Sequence, residues 1–161
     1  EGSTFRFSLK LHEPSLTQTQ ETSIDQTTSF RNLAKLRVLL VEDNLINQEV
    51  MLAILEDLEI SVDVADDGIE ALKILGDSHQ HPFDLIIMDC QMPNLDGYEA
   101  TRRIRAGDAG EAFRDIPITA LTAHAMEGEK EKCFDAGMNE FLTKPIDTEA
   151  LISTLTKLQP A

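Results

Sequence analysis

The sequence predicts a doubly wound α/β fold, in which five parallel strands form one sheet covered by five helices. From Leu36 onward, short apolar runs alternate with longer segments whose apolar residues recur every three or four positions. The alternation repeats five times in succession, which favours a parallel sheet with a helix in each crossover. Charged residues follow several of the apolar runs directly, at the sheet edge where such folds bind their ligands.

Each strand–helix unit is supported by its own local pattern. The strands are short, mostly apolar runs, as expected for a parallel sheet that is covered on both faces. The helices show helical spacing, with Gly137 predicted to end one and Asp147 or Thr148 to cap the next. Asp66 and Asp67 are predicted to be caps, because the second strand lies away from the switch point of the sheet. The five units pair strand 37–43 with helix 44–59, 61–66 with 67–78, 83–89 with 96–107, 116–123 with 127–137, and 139–145 with 147–158.

The charge of the chain restricts its partners. The net charge is −15, and residues 1–35 carry equal numbers of acids and bases, so the excess belongs to residues 36–161. Such a domain repels nucleic acid, since DNA binding depends on neutralising phosphates, and it suits a cation or a basic partner. No apolar run is long enough to span a bilayer, which predicts no direct membrane contact. The two cysteines lack the spacing of a pair motif or a metal site, which favours a cytoplasmic setting.

Polar side chains at the strand ends form a candidate site. Glu42 and Asp43 follow the first strand and Asp89 ends the third, so their carboxylates meet if these strands are neighbours. Clustered carboxylates repel each other unless a cation joins them, and hard oxygen ligands suit Mg²⁺. Thr122 and Lys144, at the ends of the fourth and fifth strands, add a hydroxyl and an ammonium suited to a phosphoryl group. An aspartate in this setting can itself be the nucleophile.

Four motifs resemble, in order and in strand position, those of response-regulator receiver domains attached to hybrid sensor histidine kinases. They are VLLVEDNLINQEV, DLIIMDCQMPNLDGYEATRRIR, ITALTA and FLTKPID, and the resemblance covers roughly Arg37 to Leu158. It implies a flavodoxin-like, five-stranded parallel sheet of order 2-1-3-4-5 with five helices. It also places the receiver domain at residues 36–158, with a tail at 159–161.

The resemblance implies a metal site and a phosphoacceptor. Asp89 would accept the phosphoryl group from a phosphohistidine. Asp43, Asp89 and the backbone carbonyl of Gln91 would bind Mg²⁺, and Glu42 would act mostly through a metal-bound water.

The remaining implied roles concern charge compensation and a conformational switch. Lys144 would pair with the phosphate, and its bond to Pro145 would be cis. Thr122 and Phe141 would be the switch pair, with the hydroxyl turning toward the phosphoryl group while the ring moves inward. Many relatives have tyrosine where this chain has Phe141, so the packing half of the switch is intact and a hydroxyl is missing.

The first residues resemble a different domain. The stretch EGSTFRFSLKL, residues 1–11, resembles the last glycine box and final strand of a histidine-kinase ATP-binding domain. Its apolar residues alternate with polar ones, as in a half-buried strand, and a tag or an unrelated strand is the alternative. A lone strand leaves its backbone groups unsatisfied, so the segment is not expected to fold alone. Residues 12–35, rich in Thr, Gln and Ser, are predicted to be a flexible linker.

These features predict a phosphoacceptor domain of a two-component phosphorelay. It would receive a phosphoryl group on Asp89 from the kinase core of its parent chain and relay it to a histidine-phosphotransfer domain. Lost phosphoryl groups would be hydrolysed slowly in the same Mg²⁺ site. The fragment is not expected to carry the kinase catalytic parts, and the parent is expected to be anchored in the inner membrane.

Two alternatives compete with this interpretation. An aspartyl-phosphate phosphatase on a similar fold needs a second acid two residues after the nucleophile, where this chain has Gln91. A degenerate receiver would act only as a docking module, and the complete set of acids, threonine and lysine argues against it. Nucleotide hydrolysis is disfavoured as well, because no glycine-rich phosphate loop with a lysine is present.

The first helix carries a candidate docking surface for the phosphotransfer domain. On a helical wheel, Leu45 and Leu52 fall among acidic residues, opposite a group of five residues that is predicted to face the sheet. Leu45 and Ile46 follow Asp43 closely, beside the phosphorylation pocket, so Leu45, Ile46 and Leu52 are the predicted docking residues. The five residues predicted to face the sheet are Asn47, Val50, Met51, Ile54 and Leu58.

Overall fold

Five parallel strands form one sheet in the computed structural model, which describes residues 33–78, 82–123 and 127–159. The strands are β1 (Arg37–Val41), β2 (Ser61–Ala65), β3 (Leu85–Asp89), β4 (Ile118–Thr122) and β5 (Glu140–Thr143). Their order in the sheet is β2-β1-β3-β4-β5, so the predicted order 2-1-3-4-5 is confirmed. The predicted kinase remnant, residues 1–11, and the predicted linker as far as residue 32 lie outside the described residues.

Five helices cover the two faces of the sheet. They are α1 (Leu45–Asp57), α2 (Gly68–Asp77), α3 (Gly97–Ala106), α4 (Glu127–Ala136) and α5 (Thr148–Leu158), with a short 3₁₀ helix at Glu111–Phe113. Buried residues of α1 and α5 pack on one face of the sheet, and those of α2, α3 and α4 pack on the other. None of the helices in the described part of the chain is long and apolar enough to cross a membrane.

The central strands are apolar on both faces because each face is covered by helices. In β1, Val38 and Leu40 join the core beneath α1 and α5, which we call the α1–α5 core. Leu39 and Val41 point the other way and pack beneath α2 to α4. Successive side chains of a strand point to opposite faces, so an uninterrupted apolar run serves both cores.

The α1–α5 core begins earlier in the chain than the sequence indicates. Leu33, which falls within the predicted linker 12–35, is fully buried in this core. Leu36, the predicted first residue of the domain, is buried there too. The folded domain therefore includes Leu33.

The face that α1 presents to the sheet differs from the predicted one. Its buried residues are Gln48, Met51 and Leu55, whereas Asn47 and Val50 are exposed. The physical reason is a buried amide: Gln48 Nε2 donates to the Glu42 carbonyl at 2.6 Å and to Asp66 Oδ1 at 2.8 Å. A wheel built on apolar residues misses a buried glutamine, since its burial depends on partners outside the helix.

Aspartate side chains cap the beginnings of two helices, and a glycine follows the end of another. Asp67 caps α2 by accepting from the Glu70 backbone N–H at 2.9 Å, and Asp147 caps α5 through the Ala150 N–H at 3.0 Å. Asp66, predicted to be a cap as well, instead accepts from Gln48. Gly137 follows α4 with a positive φ of 99°, a conformation that favours glycine.

Candidate functional site

The three predicted carboxylates lie together at the carboxyl ends of β1 and β3. Glu42 and Asp43 directly follow β1, and Asp89 is the last residue of β3, which pairs with β1. One oxygen from each carboxylate lies within 4.8 Å of the others. Glu42 and Asp89 are buried, whereas Asp43 is exposed. This acidic cluster, defined by the three residues, is therefore open to solvent on the Asp43 side.

Lys144 bridges two carboxylates of the acidic cluster. Its Nζ donates to Glu42 Oε2 at 2.6 Å and to Asp89 Oδ2 at 2.7 Å. The residue follows β5, and its backbone N–H donates to the Thr122 carbonyl at the end of β4 at 2.8 Å. The peptide bond from Lys144 to Pro145 is cis. The ammonium group therefore offsets part of the negative charge of the cluster, and its backbone is held at the end of β5 by the bond to β4.

Burial and the ion pairs act in opposite directions on these groups. Burial raises the pKa of Asp89 above its ordinary value, and the hydrogen bonds from Lys144 and the Gln91 backbone N–H only partly oppose it. For Lys144, partial burial lowers the pKa, but hydrogen bonds to Asp89 and Glu42 outweigh it and raise the pKa overall. The lysine is thus held in its charged form beside a carboxylate that is poorly solvated.

The backbone at Asp89 is packed against a glycine. A Cβ built on Gly97 would lie 2.1 Å from the Asp89 carbonyl oxygen, a distance at which atoms collide. Gly97 also donates its N–H to the Cys90 carbonyl at 3.2 Å. Glycine therefore allows α3 to begin directly against the end of β3. Gly97 was not predicted from the sequence to be important for the site. The signal that could have found it is its position directly after Asp96, the residue that caps α3.

The predicted switch residues lie on the last two strands. Thr122 is buried at the end of β4, and Phe141 is half-buried on β5. The Phe141 ring meets the Phe134 ring edge-on, with centroids 6.4 Å apart, and Lys130 Nζ lies 5.2 Å from the Phe141 centroid. The ring therefore contacts α4, and the switch roles of Thr122 and Phe141 stay predictions.

The donor atoms of the acidic cluster fit a hard divalent cation. The three residues offer carboxylate oxygens, with neither imidazole nor thiolate among them. Mg²⁺ binds through one or two carboxylates and keeps several water ligands. The exposed side of Asp43 leaves room for such waters. Softer metals, which favour nitrogen or sulfur ligands, fit this donor set less well.

Comparison with known families decides the identity of this domain. The sequence profile of the response regulator receiver domain matches residues 38–156, which include all three acids, Thr122 and Lys144. The chain belongs to the response-regulator receiver family. Its strand order is the one that the resemblance to receivers implied.

Solved receivers share both sequence and fold with this one. The receiver domain of the sensor histidine kinase PA1611 from Pseudomonas aeruginosa PAO1 is 44% identical, with a TM-score of 0.68. The match covers 76% of this chain and 96% of that chain, whose structure holds a magnesium ion in the active site cleft. A chain in the complex of the Saccharomyces cerevisiae phosphotransfer protein Ypd1 with the Ssk1 receiver domain is 36% identical, with a TM-score of 0.68. That match covers 78% of this chain and 89% of that one.

A longer relative is a hybrid kinase. Hybrid signal transduction histidine kinase K of Dictyostelium discoideum is 38% identical over 159 residues. The match covers 96% of this chain but only 13% of that protein. The receiver thus corresponds to a small part of such a relative.

Two of the three predicted docking residues are exposed on α1 of the receiver. Leu45 and Ile46 are each 70% exposed. Leu52 is half-buried and packs against the α1–α5 core, and its part in docking stays a prediction. Val50, predicted to face the sheet, is 52% exposed. The exposed apolar surface of α1 therefore comprises Leu45, Ile46 and Val50.

An apolar pocket adjoins both this surface and the acidic cluster. Its volume is about 150 Å³, and it lies between α1 and the segment that follows β5. Glu42 and Lys144 line it at the cluster side. The other lining residues are Leu40, Asn47, Val50, Met51, Leu121, Pro145 and Ile146.

Proposed function

We propose that Asp89 is the phosphoacceptor of this receiver and that a phosphohistidine is its donor. The observation that carries the proposal is the environment of the Asp89 carboxylate. It is buried at the end of β3, 2.7 Å from the Lys144 ammonium, and shares a cluster with two further acids. A poorly solvated carboxylate with a cation beside it is suited to attack a phosphoryl group, whose negative charge also needs compensation.

The transfer is an in-line displacement at phosphorus. An oxygen of Asp89 forms the new O–P bond as the N–P bond of the phosphohistidine breaks, and the histidine nitrogen keeps the electron pair. Lys144, which already donates a hydrogen bond to Asp89 Oδ2, stays beside the transferred phosphoryl group and offsets its charge. The hydroxyl of Thr122 is proposed to donate to a phosphoryl oxygen. Positioning and charge compensation supply most of the catalysis in such transfers.

Mg²⁺ is the proposed cofactor. When bound, it neutralises charge on the phosphoryl oxygens. We propose that Asp43, Asp89 and the backbone carbonyl of Gln91 hold it, and that Glu42 acts through a metal-bound water. The support in this chain is the acidic cluster itself, with one carboxylate open to solvent. The magnesium ion in the cleft of the PA1611 receiver supports the same choice.

The partners follow from the relatives and from the charge of the domain. We propose that the kinase core of the same parent chain donates the phosphoryl group and that a histidine-phosphotransfer domain receives it, as the Ypd1–Ssk1 complex suggests. The parent is proposed to be membrane-anchored with this domain in the cytoplasm, residues 1–11 being the end of its ATP-binding domain. A net charge of −15 disfavours binding to nucleic acid.

The signal is proposed to end within the same site. Slow hydrolysis of the aspartyl phosphate needs only water and the groups already present. An efficient phosphatase would need a general acid at position 91, where Gln91 offers none. Phosphorylation is proposed to turn Thr122 toward the phosphoryl group and to draw the Phe141 ring inward from its contact with Phe134.

Labelling of the wild type and two aspartate variants tests the proposed phosphoacceptor. The receiver is incubated with Mg²⁺ and a small radiolabelled phosphodonor, and the modified residue is located by mass spectrometry. Asp89→Asn should abolish hydroxylamine-sensitive label, because it removes the nucleophile and keeps the shape. Asp96→Asn is the matched control, since Asp96 caps α3 and asparagine caps equally well. Label at the wild-type level in Asp89→Asn, or on another residue, would contradict the assignment.

A further inference from the structure

Three hydrogen bonds hold the carboxylate of Glu42 in a fixed orientation. Lys144 Nζ donates to Oε2 at 2.6 Å, and Oε1 accepts from Asn47 Nδ2 at 2.8 Å and from the Asn44 backbone N–H at a longer 3.4 Å. The Glu42 side chain is only 2% exposed, so water cannot readily replace these donors. A buried carboxylate depends on such partners, because its charge is costly to desolvate. Asn47 and Lys144, which make the two shorter of these bonds, therefore fix most of the orientation of the Glu42 carboxylate within the acidic cluster.

The side chain of Asn47 does not serve its own helix. Asn44 caps α1, and its Oδ1 accepts from the backbone N–H groups of Ile46 at 3.0 Å and Asn47 at 3.3 Å. Asn47 lies in the first turn of α1, where its amide turns away from the helix toward Glu42. Asparagine is a poorer helix former than alanine, so local helix stability does not favour it there.

The same helix also holds the backbone of Glu42. Gln48 Nε2 donates to the Glu42 carbonyl at 2.6 Å and to Asp66 Oδ1 at 2.8 Å. Successive residues of α1 thus bond to the side chain and to the backbone of one acid. Gln48 reaches only the backbone of Glu42, whereas Asn47 reaches the carboxylate that takes part in the acidic cluster.

We propose that Asn47 is a positioning residue for the metal site, acting through Glu42. By holding Oε1, it keeps Oε2 directed at Lys144 and at the space shared with Asp43 and Asp89. Without it, Oε1 keeps only the longer 3.4 Å bond from the Asn44 N–H, so the Glu42 carboxylate is less well preorganised for a cation or its bound water. Residues outside the direct ligands of a metal typically change its affinity by about 10- to 100-fold when they are removed, and the lower end is expected here because Glu42 is proposed to act through a metal-bound water. The identity of the ion as Mg²⁺ rests on the proposed function.

A double-mutant cycle on Mg²⁺ binding separates positioning from a general structural role. The dissociation constant of Mg²⁺ is measured by isothermal titration calorimetry on the wild type, Asn47→Ala, Glu42→Ala and the double variant. We expect Asn47→Ala to weaken binding by about tenfold. In the Glu42→Ala background, the same substitution should weaken it no further, because its target is gone. The change to alanine should leave α1 intact, and thermal unfolding without Mg²⁺ checks this.

Asn94→Gly is the matched control. It removes a comparable asparagine–carboxylate bond, from Asn94 Nδ2 to Asp67 Oδ2 at 2.7 Å, outside the acidic cluster. Glycine fits the positive φ of 62° at this position, so the change adds no strain. Its Mg²⁺ affinity should equal that of the wild type.

Two results would overturn the role of Asn47. One is an unchanged Mg²⁺ affinity in Asn47→Ala, and the other is a loss that persists undiminished when Glu42 is alanine. Both are independent of phosphorylation, since calorimetry needs no phosphodonor. A receiver that binds Mg²⁺ as expected but takes no label on Asp89 would contradict the proposed function and leave the role of Asn47 standing.

Discussion

Two strand–helix junctions of this receiver carry adjacent acids, yet they use them differently. After β1, Glu42 is buried and joins Asp43 and Asp89 in the acidic cluster. After β2, Asp67 caps α2 by accepting from the Glu70 N–H. The Asp66 carboxylate accepts from Gln48 Nε2, and the Asp66 backbone N–H donates to Glu70 Oε2. The difference arises from the sheet order, because β1 has β3 and its Asp89 as a neighbour, whereas β2 is an edge strand. Acids after a strand thus join a site or cap a helix according to the partners that the fold brings to them: Asp89 for Glu42, and the Glu70 N–H for Asp67.

The pKa shifts of Asp89, in the acidic cluster, and of Asp67, after β2, have opposite directions. Burial raises the pKa of Asp89. At Asp67, hydrogen bonds from the Glu70 N–H and the Asn94 side chain lower the pKa, because the group stays solvated and gains donors. One environment therefore disfavours the carboxylate charge that the other stabilises.

The largest predicted effect concerns the third junction, between β3 and α3. Gly97→Ala should destabilise the domain by about 3 kcal/mol, since the new methyl group collides with the Asp89 carbonyl. Gly76→Ala is the control: it adds a methyl group in α2 with no atom within 4 Å, and should stabilise by about 0.5 kcal/mol. Urea unfolding measures both. Equal stability of Gly97→Ala and the wild type would show that α3 can move away from β3 at little cost.

Mg²⁺ should distinguish the acids of the two junctions. At a hundredfold excess over its dissociation constant, Mg²⁺ should stabilise the wild type by about 2.7 kcal/mol. Asp43→Ala should lose most of this shift and melt higher than the wild type without metal, because repulsion in the cluster is relieved. Asp67→Asn should keep the full shift. An unchanged melting temperature of the wild type with Mg²⁺, together with equal metal-free melting temperatures of Asp43→Ala and the wild type, would contradict a metal site in the acidic cluster.

The cap at the second junction should matter less. Asp67→Ala should cost about 1 kcal/mol of unfolding free energy, because α2 loses its N-cap, while phosphorylation of Asp89 stays normal. The pKa of Asp67 is lowered from its ordinary value of 3.8, so its charge contributes stability above that pH. The difference between wild type and Asp67→Asn should therefore shrink as the pH falls below 3.8 and through the lower folded value. Chemical unfolding at several pH values measures it, and a difference that grows on acidification would contradict the sign.

The smallest effect is expected at the exposed apolar residues that follow each junction. Leu45→Ala with Ile46→Ala should slow phosphotransfer from a partner phosphohistidine a few-fold, about 1 kcal/mol or less, because most interface residues contribute little. Phosphorylation by a small donor should not change. Ile69→Ala, at a 54% exposed residue in the first turn of α2, is the matched control. If Ile69→Ala slowed phosphotransfer equally, the docking surface would extend to the second junction. If the Leu45→Ala, Ile46→Ala variant were also slower with the small donor, the substitutions would have damaged the phosphorylation pocket itself.

The order of strands and helices, and the residues at the strand ends, follow from the sequence. Apolar runs and helical spacing are local patterns, and the carboxyl ends of parallel strands share one edge of the sheet. That is why Glu42, Asp43 and Asp89 could be expected to meet before any distance was known. The resemblance to receivers added the strand order and the roles of Thr122, Phe141 and Lys144.

Contacts between segments distant in the chain were decided only by the tertiary structure. Burial of Gln48 rather than Val50 depends on Asp66 and on the Glu42 carbonyl, which no helical wheel contains. Leu33 belongs to the core because α1 and α5 leave apolar surface for it, although its neighbours in sequence look like a linker. Likewise, the need for Gly97 depends on how closely α3 approaches β3. Local patterns report the preference of each segment, whereas the burial of a polar group or a close backbone approach depends on partners that folding brings together.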